Sequence, residues 1–160
     1  MKRYQLIIIL LNLVLALGIY HYSVMEKEKT LATGKLVLLE LAPVDPRSLM
    51  QGDYMRLHYA IANEINENVP RKGYYVITLD SGLVARRQRI QAGRQPLKSG
   101  EYLIRYHSVS WWHSLGAEDY FFQEGRADTF AIARYGGLRI DDKGNSILVG
   151  LYDGKKKLIQ

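Results

Sequence analysis

Cysteine is absent from these 160 residues, so neither a disulfide framework nor thiol chemistry is open to the chain. Acidic and basic side chains are missing from Gln5 through Met25. Histidine pairs at i,i+2 or i,i+4 are missing too. His58, His107 and His113 stand apart, a spacing that predicts separate side chains and no metal site. Three Phe and two Trp are outnumbered by twelve Tyr, a bias that suits half-buried strands and wet interfaces. No internal repeat is visible, and no cofactor motif calls for a bound group.

What is present begins with the uncharged run. Its core, Leu6 to Ile19, is Leu, Ile, Val and Ala with one Asn and one Gly. About 20 such residues at 1.5 Å rise cross a hydrocarbon layer of roughly 30 Å. A helix packed in a soluble core would carry a polar stripe, and none is visible. Lys2 and Arg3 precede the run, while Glu26, Lys27, Glu28 and Lys29 follow it with balanced charge. The positive excess before the span predicts a cytoplasmic N-terminus and a single-pass anchor in the cytoplasmic membrane. The rest of the chain then lies in the periplasm or outside the cell. Tyr4, Tyr20, His21 and Tyr22 fall at the two interfaces, where amphipathic rings are favoured. A cleaved signal peptide is the rival reading, with Leu6–Leu15 as its apolar region and Ala16-Leu17-Gly18 as the cleavage site. Apolar residues continuing past Gly18 favour the anchor.

Residues 1–25 thus read as the cytoplasmic end and anchor, 26–34 as a polar stem, and 35–160 as one domain of ordinary size. The net charge is +6, of which Lys2 and Arg3 supply two. Anionic headgroups suffice as a partner for so modest a charge. Nucleic acid is disfavoured by the expected side of the membrane.

Short strands with turn signals follow. Leu36–Leu41 is apolar, and Asp45 before Pro46 suits a helix cap and first helical position. Gly52 permits a reversal that Asp53 can fasten. From Tyr54 to Ile61 the alternation predicts a strand with Met55, Leu57, Tyr59 and Ile61 on the core face. Gly73–Leu79 and Leu83–Ala92, joined through Asp80-Ser81-Gly82, read as a hairpin. Glu101–Val109 is a further strand, Trp111–Tyr120 irregular, and a helix is expected around Arg126–Arg134. Leu138–Ile140 and Ser146–Tyr152 close the chain as a last hairpin. The fold class is mainly β: a transmembrane helix, then a small antiparallel β-sandwich or partly open barrel with one or two short helices.

The octapeptide Gly52-Asp53-Tyr54-Met55-Arg56-Leu57-His58-Tyr59 spells G-D-Y-x-x-L-x-Y. It resembles the signature of the GDYXXLXY family of membrane-anchored bacterial proteins. Pro43, Asp45 and Pro46 are similar to the stretch that precedes the motif there. Tyr120 to Gly125, with Glu124 and Gly125, is similar to an aromatic-x-x-E-G segment, and Leu138 to Leu151 to the closing hairpin. The resemblance implies an extracytoplasmic domain and brings no catalytic residues.

Type I signal peptidases are similar in joining an anchor to a β domain and in having Gly-Asp shortly after a serine nucleophile. Their serine lies eight residues before the Gly, where this chain has Val44. Ser48 lacks the following Met and Pro, and Lys72, the candidate base, falls in a polar loop. Asp45 and Asp53 read as a cap and a turn fastener before they read as an acid–base pair. Arg86, Arg87 and Arg89 interrupt one strand with positive charge. This is either a protected edge or a contact for acidic groups. Trp111 and Trp112 are adjacent, so a regular strand cannot bury both. Together with Tyr54 and Arg56 these residues form the candidate interaction surface. The residues argue for a binding module or an accessory subunit that meets membrane lipid through its helix and another membrane protein through this surface. The alternative is a membrane-bound hydrolase distantly related to signal peptidases.

Overall fold

The computed structural model describes residues 3–42, 54–63, 69–109, 112–123 and 125–160. In chain order it contains helix α1 (Arg3–Thr33), β1 (Lys35–Glu40), β2 (Tyr54–Arg56), a 3-10 turn (Ala60–Ala62), β3 (Lys72–Leu79) and β4 (Ala85–Gln91). It continues with β5 (Glu101–Val109), β6 (Trp112–Ser114), β7 (Asp119–Phe121), helix α2 (Ala127–Phe130), β8 (Tyr135–Ile140) and β9 (Ser146–Tyr152). The mainly β, antiparallel architecture expected from the turn spacing is what forms.

Helix α1 is long and apolar enough to cross a membrane, and the domain leaves its apolar part uncovered. Asn12 donates from Nδ2 to Ile8 O at 2.9 Å, so its amide is satisfied inside its own helix. No proline occurs before Gly34, Gly18 is carried within the helix, and the helix runs through the polar segment to Thr33. There Gly34 N–H donates to Thr30 O at 2.9 Å. A Cβ on Gly34 would stand 2.3 Å from Thr30 O and 3.0 Å from Ile140 O, so only glycine fits this exit. Strand β1 begins at the next residue.

Among the described residues three antiparallel sheets build the domain: β1–β8–β9, β4–β3–β5–β6 and the ribbon β2–β7. A parallel bridge between Leu38 and Val84 joins the first to the second, with Leu38 N–H on Leu83 O at 2.9 Å. The result is a partly open barrel. Val37, Leu39, Leu57, Tyr59, Tyr75, Ile77, Ile104, Tyr106, Leu138 and Leu151 fill it. The turn of the β8–β9 hairpin folds over the outer side of β5, where Arg105 N–H donates to Gly144 O at 2.8 Å.

Two segments differ from their sequence pattern. The run Tyr54–Ile61 is not one strand. Strand β2 pairs with β7 only as far as Arg56, after which His58 O accepts Ala42 N–H at 2.7 Å and Tyr59 bridges Leu41. The chain changes partners and then coils into the 3-10 turn. The segment expected to be irregular holds β6 and β7. Between them the carboxylate of Glu118 accepts Leu115 N–H and, at 3.0 Å, the Ser114 hydroxyl. That buried acid organises a turn which composition alone does not reveal.

Candidate functional site

The family motif is first a core element. Leu57 is 1% and Tyr59 2% exposed. The Tyr59 hydroxyl donates to Ala117 O, and its ring lies where a Cβ on Gly136 would come within 2.9 Å. Burial, with the Glu118 carboxylate nearby, holds this phenol neutral well above the usual tyrosine range. The motif thus ties β1, β8 and the Glu118 turn to one side chain. Tyr54 pairs through its backbone with Phe121. Pro43, Asp45, Pro46, Gly52, Asp53, Trp111 and Glu124 lie outside the described residues, as does Ser48. Gly125 has φ +80°, a left-handed conformation suited to glycine.

The arginines of β4 go to different places. Arg87 turns inward, with its guanidinium carbon 5.6 Å from the Tyr75 ring centre and Nη1 donating to Ile61 O at 2.8 Å. Beneath it lies a stack of three rings. Tyr75 and Tyr106 have centroids 4.7 Å apart, and Tyr106 and His113 4.4 Å. Tyr75 Oη and His113 Nδ1 share a hydrogen bond of 2.5 Å. Burial first, and the Arg87 charge second, push the His113 pKa below the ordinary imidazole value. Burial likewise raises Tyr75. Arg89 faces outward and grips Glu101 with both terminal nitrogens, at 2.5 and 2.8 Å. Arg89, then the Lys98 N–H, hold the Glu101 carboxyl down to about 2. Arg86 is exposed.

Trp112 is half-buried against His58, ring centres 6.1 Å apart. Arg56 pairs with Asp119 at 3.4 Å on the exposed ribbon. Of the surface residues, then, Trp112 and Arg87 both lie near the 3-10 turn, while Arg86 and Arg89 lie along β4 and Arg56 on β2. Lys72 is exposed at the start of β3. Among the described residues no group of three His, Asp or Glu is placed to hold a metal ion.

Sequence reasoning did not single out the groove along the emerging helix. A cleft of about 320 Å³ separates the last turns of α1 from β5 and the β8–β9 hairpin. Its lining includes Ser23, Lys27, Arg105, His107, Asn145 and Ser146. The available signal was Arg105 and His107 two apart on one strand face. Glu26 also borders the cleft, but Lys143 Nζ holds its carboxylate at 2.5 Å.

Among curated proteins and solved structures nothing matches the chain. The family model described as GDYXXLXY protein matches residues 16–151, from within α1 to the end of β9. With most of its length matched, the chain belongs to the GDYXXLXY family.

Proposed function

We propose that the protein is a membrane-anchored binding module, an accessory subunit of a membrane complex, with its β domain on the outer face of the cytoplasmic membrane. The observation that carries this reading is the junction between α1 and the domain. The helix passes without a break from its apolar part into the polar turns that pack on β8 and β9. It is fastened by Lys143 on Glu26 and by Arg139 Nη1 on Gly34 O at 2.7 Å. A domain so joined keeps one height and one orientation at the bilayer, as a subunit that presents a fixed face must.

The face assigned to the partner is the β2–β7 ribbon. Among the described residues its strands pair only with each other, and Phe121 is 75% exposed on it. A short ribbon that presents so exposed an aromatic ring suits docking of a second protein. The positive charge before the span supports the N-in orientation.

The test is affinity capture of the tagged full chain from gently solubilised membranes, compared with Phe121→Ser. The reading expects a defined membrane protein that the variant loses. Equal recovery from both would contradict the assigned face, and a C-terminal reporter active in the cytoplasm would contradict the orientation.

A further inference from the structure

We propose that the cleft between the end of α1 and β5 holds the phosphodiester headgroup of a bilayer lipid. The inference rests on the reading of α1 as a membrane anchor, and the height of the cleft follows from it. Tyr4 and Ser23 are separated by about 28 Å along the helix, close to the hydrocarbon thickness of roughly 30 Å. With Tyr4 at one interface, Ser23 stands at the other. Ser23 and Lys27 line the cleft from the helix side, so its floor lies at headgroup level.

The chemistry of the lining is that of a phosphate site. Lys27 and Arg105 supply two positive charges, and His107 adds a ring nitrogen. Among the described residues neither the Lys27 ammonium nor the His107 ring has a hydrogen-bond or ion-pair partner. The one carboxylate on the wall, Glu26, is already engaged by Lys143, so it does not cancel them. Ser23 adds a hydroxyl for the ester oxygens, while the Asn145 amide on the wall is held by Asp141 at 2.7 Å. Arg105 lies 6.0 Å from the Tyr74 ring centre, which steadies its planar group beside the cleft. The volume of about 320 Å³ accommodates a headgroup phosphate with its glycerol end. Free phosphate would satisfy the same charges, but the position at the bilayer surface selects the lipid-borne form.

The experiment uses the full chain in nanodiscs of phosphatidylcholine alone and of phosphatidylcholine mixed with phosphatidylglycerol. Lipids that stay bound on gentle release are counted by native mass spectrometry. The wild type is expected to retain phosphatidylglycerol above its share in the disc. The double variant Lys27→Gln, Arg105→Gln should weaken that preference by about thirtyfold, the scale set by removing two cations near a headgroup. The control Lys155→Gln, Lys157→Gln removes the same charge elsewhere, at exposed positions, and should keep it. Equal loss in both doubles would mean diffuse surface charge, and equal retention would mean no site; either overturns the proposal. Displacement of the lipid by inorganic phosphate would overturn the lipid source. Lys27→Gln alone, on an exposed helix position, should show partial loss and keeps the test open if the double variant fails to fold; unchanged enrichment there would count against the site. A chain that leaves phosphatidylcholine discs altogether contradicts the anchor. A chain that stays without enrichment contradicts only the headgroup site.

Discussion

Lys143, in the turn of the last hairpin, places its ammonium 2.5 Å from the carboxylate of Glu26, on the helix 117 residues earlier in the chain. The contact joins the two ends of the domain across the point where the helix meets it. Both side chains are about half exposed, so the pair itself contributes little stability. Its role is geometric, and Gly34 supplies the tighter constraint.

Gly34→Ala is accordingly expected to cost about 1–3 kcal/mol, because the new methyl group collides with the backbone of Thr30 and Ile140. Lys143→Ala should change stability far less than Gly34→Ala does, because its ion pair is solvent-exposed. Chemical denaturation of the two variants checks the order. A larger loss for Lys143→Ala would place the constraint in the ion pair.

Leu57→Ala should cost about 2–4 kcal/mol, since the side chain is enclosed by the core. Tyr59→Phe removes the donor to Ala117 O and leaves a buried carbonyl alone, for about 1–3 kcal/mol. A change under about 0.5 kcal/mol in both would separate the family motif from the stability of the fold.

Acid should weaken the domain in two windows. His113 has a folded pKa below its unfolded value of 6.5, so the unfolded chain binds the extra proton between the two. Stability therefore rises with pH through that window and falls on acidification below 6.5. Glu101, held to about 2 against an ordinary 4.5, adds stability above 4.5 that is lost as pH falls towards 2. Thermal midpoints from pH 8 to pH 5 isolate the first effect. His113→Gln should flatten the curve there, and an unchanged slope would show that His113 is not its source.

Much of the fold was legible. The strands Glu101–Val109 and Ser146–Tyr152 form at the limits that their flanking turns imply, and the Asp80-Ser81-Gly82 turn joins β3 to β4. There Asp80 Oδ1 accepts the N–H groups of Gly82 and Val84, so the signal was local. What escaped depends on distant partners. The partner change after Arg56 is imposed by Ala42; the Glu118 turn is the exception, held by Leu115 and Ser114 three and four residues earlier in a pattern that the usual Gly, Pro, Asn and Asp turn signals do not spell. The charges of β4 did not say which arginine turns inward, because Tyr75 and Ile61 come from elsewhere in the chain and the bulge opposite Val76 and Ile77 puts Arg87 and Arg89 on different faces. The cleft was illegible for the same reason: its walls are α1, β5 and the final hairpin.

The central claim is that the β domain stands on a continuous helix at a fixed orientation to the membrane. The chain has no cysteine, so Tyr22→Cys and Lys155→Cys give one defined pair for spin labels. Both positions are exposed. Their separation, measured by pulsed electron resonance on the full chain in nanodiscs, is predicted to be a single narrow distribution. A broad distribution, as a flexible stem between span and domain would produce, would contradict the account.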